Sequence, residues 1–279
     1  MATFSGFARN TRPYEVQPLH LPWQKERTPK CMPGSEPVWV APPADSLLAE
    51  NEVHVWLASI EQPGAVTLQL KQTLSRDELT RAGKFHFEQD RNHFIAARGL
   101  LRLILGPYLD MQPAQLQFAC NDHGKPRLHH QPEEKRLHFN LSHSHDLALF
   151  AFTYVGSVGV DIEYMRADVA VEQVARMSFS PREQALLLDL PIEERPRAFY
   201  TCWTRKEAYI KGRGTGLSLE PNLFDVAFLP GEPAALLASR EDPHEPARWA
   251  LQALEPGAGY AGALAVEGHD WNLKCYHML

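Results

Sequence analysis

Alternating apolar and polar positions mark the clearest strand of this chain, at residues 158–163. Two valines and an isoleucine alternate there with a glycine, an aspartate and a glutamate. Because side chains two positions apart on a strand share a face, the pattern predicts one buried apolar face and one face that presents Asp161 and Glu163. Further alternating or apolar segments predict strands near residues 53–57, 116–120, 137–142, 147–153, 224–229, 249–254, 262–266 and 271–276.

Apolar residues at helical spacing predict helices in the intervening segments. These segments are residues 76–109, 170–177, 181–189 and 196–211. A strand, several helices and further strands therefore occur in each half of the chain, although no residue-level repeat is visible. At 279 residues the chain exceeds the usual size of a single core, so we expect two domains or two similar halves.

The helix predicted for residues 196–211 carries charged residues in an informative pattern. Its apolar stripe consists of Phe199, Cys202, Trp203 and Ile210. Lys206 falls near the middle of this stripe, where a charge is costly unless it reaches water or a carboxylate. Glu207 and Lys211 lie four residues apart on one flank. They form either part of a functional site or an exposed ion pair worth a few tenths of a kcal/mol.

The two acids of the strand at 158–163 indicate a cation nearby. Two like charges on one face repel each other unless a cation or a basic group compensates them. Magnesium prefers carboxylate oxygens and keeps water and substrate phosphate as its remaining ligands. The alternative is an exposed strand end with two ordinary acids, since a short pattern of this kind is common.

Basic residues recur along the predicted helical region that begins near residue 84. If residues 84–105 form one helix, Lys84, Arg91, Arg98 and Arg102 point within a narrow arc. Such a basic stripe either grips an anionic substrate or serves solubility alone.

Five short segments, in their order and spacing, resemble the signature of the Sfp-type 4′-phosphopantetheinyl transferases. The segments are His123-Gly124-Lys125-Pro126, Phe139-Asn140-Leu141-Ser142-His143-Ser144, Gly159-Val160-Asp161-Ile162-Glu163, Phe179-Ser180-Pro181-Arg182-Glu183, and Trp203-Thr204-Arg205-Lys206-Glu207-Ala208 with Lys211. The resemblance extends from about residue 84 to residue 220. It covers residues 1–50 and the last 40 or so only loosely.

The resemblance implies an enzyme that moves the phosphopantetheine arm of coenzyme A to a serine of an apo acyl or peptidyl carrier protein, with release of adenosine 3′,5′-bisphosphate. It implies that Asp161, Glu163 and Glu207 hold Mg²⁺ against the diphosphate of coenzyme A. Glu207 would also accept the proton of the attacking serine, with a water as the alternative base. Lys211 would neutralise or protonate the leaving phosphate. Phosphoryl transfer depends mainly on positioning and charge compensation, which these residue types provide.

The resemblance also implies a set of residues that bind the nucleotide of coenzyme A. Lys84, His93 and Lys125 would surround the 3′-phosphate and the adenine, although relatives vary at the position of His93. Ser142 and His143 would lie close to the nucleotide phosphates, and alternation with Phe139 and Leu141 places this pair at the end of a strand. Of the basic stripe, Arg98 is a further candidate contact. Alternatively, each of these candidate residues is an ordinary surface or core residue.

The fold implied by the resemblance is α+β, with two similar α/β halves related by a pseudo-two-fold axis. We expect a proline-rich extension at residues 1–50, because eight of the 22 prolines fall before residue 44. The N-terminal half, 51–155, would supply the coenzyme A nucleotide grip. The C-terminal half, 156–279, would supply the magnesium and catalytic residues. The cofactor would lie at the junction of the halves, a common place for a ligand cleft.

Composition is typical of a soluble enzyme, which we expect to be cytoplasmic and monomeric. With 44% hydrophobic and 22% charged residues, the chain has enough apolar material for packed cores. Its net charge of −6 gives no indication of a nucleic-acid partner. The first residues lack the apolar run of a signal peptide, and no stretch predicts a membrane span. Four widely spaced cysteines suit a reducing compartment, and the 13 histidines show no compact zinc-ligand pattern.

Two other classes of protein fit part of the pattern. A metal-dependent nuclease also gathers acids and a lysine round magnesium, but the four-residue gap from Glu207 to Lys211 and the acidic balance argue against it. A catalytically silent module that binds coenzyme A or a carrier protein has no need for all three carboxylates and Lys211. The sequence does not indicate which carrier proteins or which biosynthetic pathway are served.

Overall fold

The structure, a computed structural model, describes residues 37–43, 47–129, 131 and 136–278. Most of the predicted proline-rich extension therefore lies outside the described residues. The strands are β1 Trp39–Val40, β2 Glu52–Ser59, β3 Phe118–Cys120, β4 Pro126–Leu128, β5 His138–Ser144, β6 Leu147–Thr153, β7 Val158–Tyr164, β8 Phe224–Val226, β9 Leu236–Ser239, β10 Trp249–Leu254, β11 Tyr260–Glu267 and β12 Asn272–Met278. The helices are α1 Gly64–Lys71, α2 Arg76–Ala82, α3 Glu88–Leu109, α4 Val171–Ser178, α5 Pro181–Asp189, α6 Arg195–Arg213 and α7 Glu245–Arg248.

The larger strands form two main sheets. In the first sheet the order is β1-β12-β2-β6-β5, and in the second it is β10-β11-β7. Three strands of each half are paired antiparallel in a corresponding order, β2-β6-β5 in the first half and β7-β11-β10 in the second. Each half also contains a two-stranded hairpin, β3–β4 or β8–β9. This correspondence confirms the predicted α+β fold of two similar halves.

The last strand of the chain departs from this symmetry. β12 pairs parallel with β2 and also with β1, so it lies inside the sheet of the first half. The two halves are therefore joined by β12 as well as by the connection at residues 154–157. A division of the chain at residue 155 stays a prediction.

The core consists of three apolar layers between four layers of secondary structure. One cluster lies between α3 and the first sheet, and includes Leu101, Leu105 and Phe150. A second lies between α6 and the second sheet, and includes Tyr209 and Ala263. The third lies between the two sheets, where the apolar face of β7 meets the first sheet. The members of β7 in this cluster are Val158, Val160 and Ile162, which confirms the alternation predicted from the sequence.

The other face of β7 is covered by α6 at very close range. A Cβ added to Gly159 would lie 2.0 Å from Ala208 O and 2.2 Å from Gly212 N. A Cβ added to Gly212 would lie 2.6 Å from the ring of Trp249. These two glycines let the helix backbone rest on the strand, so the acids of β7 and the flank of α6 come together.

Most predicted elements are present, with a few differences. The structure adds β1, α1, β4, β9 and α7, which are short or have weak periodicity. Helix α3 begins at Glu88, so Lys84 lies in the preceding turn, and the prediction of one helix over 84–105 is wrong at its start. Strand β5 continues to Ser144, so Ser142 and His143 lie within the strand. None of the described helices has the length and apolar character that a membrane crossing requires.

Candidate active site

Polar side chains connect the two sheets along the line where β5 meets β7. Each of these strands is an edge of its own sheet, and no backbone ladder joins them. Instead, alternate residues of β5 reach across: Asn140 Oδ1 accepts from Val160 N at 2.8 Å, and Ser142 Oγ donates to Asp161 Oδ1 at 2.8 Å. Ser144 Oγ likewise donates to Glu163 Oε2 at 2.9 Å, further along β7. We call this arrangement of Asn140, Ser142 and Ser144 the β5–β7 ladder.

Asp161 lies at the centre of the ladder and is only 1% exposed. Its Oδ1 accepts hydrogen bonds from Ser142 and from Lys211, whose Nζ is 2.5 Å away. Its Oδ2 is buried and has no hydrogen-bond partner among the described residues. Burial raises the pKa of Asp161 and outweighs the opposing effect of Lys211. An unpartnered buried carboxylate oxygen is costly, so this position suits a cation or a hydrogen-bond donor.

Glu163 and Glu207 complete a group of three acids. Burial raises the pKa of Glu163, and the charges of Asp161 and Glu207 raise it further. Burial and the charge of Asp161 likewise raise the pKa of Glu207. Within the described part of the chain, the Glu207 carboxylate has no hydrogen bond or ion pair. Three mutually repelling carboxylates with one nearby lysine form a net negative site.

Lys211 points to β7 and not along its own helix. Its Nζ contacts Asp161 Oδ1 and also donates to Ser142 Oγ at 2.8 Å. The exposed i,i+4 ion pair with Glu207, considered as an alternative from the sequence, is therefore not the arrangement found. Lys211 remains 30% exposed at its side chain, so its ammonium group is accessible from the junction.

Two histidines face the same region from the first half. The surrounding protein removes part of the water around His143 and lowers its pKa, and the charges of Lys211 and then His93 lower it further. His93 from α3 therefore lies close enough to His143 to affect its titration. The structure thus places Ser142 beside Asp161 and Lys211, with His143 near Lys211.

Lys84 and Arg98 do not join this group. Lys84 is exposed in the turn before α3. Arg98 pairs with Glu78 Oε1 at 2.6 Å, and its guanidinium lies 4.8 Å from the centre of the Phe118 ring. Arg102 is buried and pairs with Glu78 Oε2 at 2.7 Å. The stripe predicted for α3 is therefore not a row of exposed cations.

Lys125 reaches the junction from the β3–β4 hairpin, but its ammonium already has acceptors. Its Nζ donates to Val158 O and to Gly212 O, each at 2.9 Å. Burial lowers the pKa of Lys125 to about 8. Both acceptors belong to the second half, at the start of β7 and the end of α6.

Lys206 has a structural environment away from the acidic group. Its Nζ lies 2.7 Å from Glu183 Oε2, and both side chains are 1% exposed. It also donates to Pro221 O and Phe224 O. Glu183 is fixed in turn by the capping box with Ser180 at the start of α5. Of the two outcomes expected for Lys206, contact with water or with a carboxylate, the structure shows the second, and the neighbouring helix supplies the carboxylate.

Sequence reasoning missed Ser144 and Asn140 as members of the site. Their signal was available, because Asn140, Ser142 and Ser144 share one face of β5 at a period of two. The sequence alone does not predict that β5 and β7 lie side by side at the edges of different sheets.

The described residues contain no ready-made cluster of three or more His, Cys, Asp or Glu side chains able to hold a metal ion. Magnesium usually keeps several waters and binds through one or two carboxylates together with substrate phosphates.

Sequence comparisons give a consistent result for both halves. Residues 157–265 match the 4′-phosphopantetheinyl transferase superfamily, and residues 62–154 match the family described as 4′-phosphopantetheinyl transferase, N-terminal. The chain is 41% identical over 239 residues to the 4′-phosphopantetheinyl transferase HetI of Nostoc sp., an alignment that covers 86% of this chain and 98% of HetI. It is 27% identical over 184 residues to the 4′-phosphopantetheinyl transferase Sfp of Bacillus subtilis, covering 66% of this chain and 79% of Sfp.

Proposed function

This chain belongs to the 4′-phosphopantetheinyl transferase superfamily, and we propose that its active centre is the junction of β5, β7 and α6. The enzyme transfers the phosphopantetheine arm of coenzyme A to carrier proteins. One observation carries the assignment of the centre: Lys211 and the buried Asp161 meet where two further acids, Glu163 and Glu207, face the same space.

We propose that Asp161, Glu163 and Glu207 hold Mg²⁺ together with the diphosphate of coenzyme A. The support is the unpartnered Oδ2 of Asp161 and the raised pKa values of the three acids, which a divalent cation would lower again. When bound, the ion would draw charge from the diphosphate oxygens and favour departure of the nucleotide.

The remaining steps fall to side chains of α6. Glu207 has a carboxylate without a hydrogen-bond partner in the described structure, and it would accept the proton of the carrier serine as that oxygen attacks the phosphorus. Lys211 would turn from Asp161 to the leaving phosphate, where its positive charge offsets the charge that develops. Adenosine 3′,5′-bisphosphate would then leave.

For the nucleotide, the geometry favours some predicted contacts over others. Ser142 lies at the junction, and His143 lies near Lys211. We propose that both contact the phosphates, together with His93 of α3. Contacts from Lys84, Arg98 and Lys125 stay predictions, because Lys84 lies in solvent and the other two already have acceptors. Binding of coenzyme A would have to bring these side chains closer.

The test is transfer to an apo carrier protein, followed by mass spectrometry. Full-length protein, coenzyme A and Mg²⁺ should add the phosphopantetheine arm to the carrier serine, and chelation of the metal should stop the reaction. The matched controls are Asp161→Asn and a carrier whose acceptor serine is replaced by alanine. Binding of coenzyme A without any mass gain on several carriers would instead support a silent binding module, and digestion of DNA would support a nuclease.

Three further predictions accompany this function. We expect the enzyme to act as a monomer, in the cytoplasm, without a nucleic-acid partner. Sedimentation of the purified chain tests the first, fractionation of cells the second, and a gel-shift assay the third. A stable dimer, a different compartment or a shifted band would contradict them.

A further inference from the structure

The turn of the β3–β4 hairpin is held rigid by one asparagine. Asn121 Oδ1 accepts from His123 N at 3.0 Å and from Lys125 N at 2.8 Å. The backbone closes the same turn, since Asn121 N donates to Lys125 O at 2.9 Å and Gly124 adopts a positive φ of 83°. Because the side-chain oxygen and the backbone both define it, the turn presents Lys125 in one fixed direction.

This rigid turn is attached to the end of the catalytic helix. Asn121 Nδ2 donates to Gly214 O at 2.8 Å, and Gly214 is the left-handed C-cap of α6. Lys125 Nζ donates to Gly212 O of the last helical turn and to Val158 O at the start of β7. Carbonyls at a helix C-terminus lack partners within the helix, and a lysine there is favoured by both hydrogen bonding and the helix dipole.

Close packing shows that the contact is specific. A Cβ on Gly214 would lie 3.1 Å from Lys125 Cδ and 3.3 Å from Asn121 Nδ2. A Cβ on Gly216 would lie 3.4 Å from His123 O. The glycines after α6 therefore allow the hairpin turn of the first half to dock directly on the backbone of the second half.

We propose that Asn121 and Lys125 are positioning residues that fix the C-terminal turn of α6, and through it Lys211 and Glu207, against β7. The inference rests on the proposed function of that helix. Lys211 immediately precedes Gly212, whose carbonyl is an acceptor of Lys125, so movement of this carbonyl moves the lysine that contacts Asp161. In this role Lys125 acts through the protein backbone and does not depend on the 3′-phosphate of coenzyme A.

The experiment compares Lys125→Met, Asn121→Ala and the conservative Lys125→Arg in the full-length enzyme. Each is assayed with coenzyme A and with dephospho-coenzyme A, which lacks the 3′-phosphate. We expect kcat to fall by roughly tenfold to a hundredfold in the methionine and alanine variants, equally for both substrates, because a misplaced catalytic group lowers the rate of chemistry. KM should change little, and Lys125→Arg should recover part of kcat because its guanidinium can also donate to two carbonyls.

A second readout separates positioning from stability and from failure of the proposed function. Amide hydrogen exchange of the segment 207–216 should become faster in Lys125→Met and Asn121→Ala, measured well below the unfolding temperature. Lys71→Met, which removes an exposed lysine of α1, is the matched control and should change neither exchange nor kcat. Exchange is readable even if the wild type transfers nothing, an outcome that would reject the proposed function but not the attachment itself.

Two results would overturn the inference. A rise in KM for coenzyme A with no effect on dephospho-coenzyme A would make Lys125 a ligand of the 3′-phosphate. Unchanged kcat together with unchanged exchange in both variants would show that the turn does not position α6.

Discussion

Ser144 Oγ donates a hydrogen bond to Glu163 Oε2 at 2.9 Å and accepts one from Tyr164 N at 3.1 Å. Ser144 belongs to the first sheet and Glu163 to the second, so one half of the molecule orients an acid of the other. Asn140 and Ser142 make comparable contacts along the same line. The β5–β7 ladder therefore fixes the acidic group relative to the first half, where the nucleotide is proposed to bind.

Removal of the Ser144 hydroxyl should lower the transfer rate by weakening the binding of Mg²⁺. In Ser144→Ala the Glu163 carboxylate loses its donor, and groups that orient metal ligands typically contribute 10- to 100-fold in affinity or activity, so we expect about a tenfold loss of transfer. The Mg²⁺ concentration for half-maximal rate should rise, and the free energy of unfolding should fall by only about 1 kcal/mol. A magnesium titration of the transfer rate measures this.

The matched control for Ser144 is Ser59→Ala. Ser59 donates to Glu61 O at an exposed position away from the junction. An equal loss of activity in both variants, or a loss in Ser144→Ala that magnesium does not modulate, would contradict orientation of Glu163 by Ser144.

Asp161→Asn should abolish transfer and preserve the fold. The substitution keeps the size of the side chain and removes the charge that is proposed to bind the metal, while Ser142 can still donate to the amide oxygen. Transfer is measured by mass gain of the carrier, and folding by a urea unfolding curve. Asp189→Asn, an exposed change at the end of α5, is the control. Loss of cooperative unfolding in Asp161→Asn would assign the residue a structural role instead.

The buried pair Lys206–Glu183 should be strongly coupled. Either Lys206→Met or Glu183→Gln leaves the partner charge buried without compensation, which typically costs about 3–5 kcal/mol. The double variant should cost less than the sum of the two single variants, because it leaves no unpaired charge. Urea unfolding of the wild type, the two single variants and the double variant completes this double-mutant cycle and gives the coupling free energy. Additive effects would mean that the pair contributes no mutual stabilisation.

Acid should destabilise the first half through His54. Burial lowers the pKa of His54 to about 4, so the folded protein holds it neutral, with contacts to Tyr108 OH and Glu52 Oε2. The unfolded chain binds a proton below about pH 6.5, so the free energy of unfolding should decrease as pH falls from 6.5 to 4, by roughly 2–3 kcal/mol. Urea unfolding across this range should show a shallower pH dependence in His54→Gln, and an identical slope would exclude His54 as the cause.

The sequence predicted the acidic face of β7 because a period of two is visible within seven residues. It also predicted that Lys206 reaches either water or a carboxylate, since a charge in an apolar stripe is otherwise costly. That it reaches a carboxylate, and that this carboxylate belongs to Glu183, depended on how α5 packs on α6 and was not accessible from either segment alone.

The environment of the basic stripe on α3 was not predictable for a related reason. The spacing of its arginines is helical, but Glu78 on α2 draws Arg98 and Arg102 inward. The start of α3 was also misplaced, because the acids in its first turn, Glu88 and Asp90, favour a start after Phe87. Periodicity predicts which residues share a face of a helix, but it does not predict which residues elsewhere in the chain contact that face.

Strand β2 has β12 on one side and β6 on the other. During synthesis β6 follows β2 after about a hundred residues and can then pair with it. In contrast, β12 can pair with β2 only when residues 272–278 have left the ribosome. Until then one border of β2 has unpaired backbone groups, which is a template for association with other chains. A nascent chain stopped after β11 would therefore carry a nearly finished catalytic half and an open first half, and such a fragment should require chaperone protection.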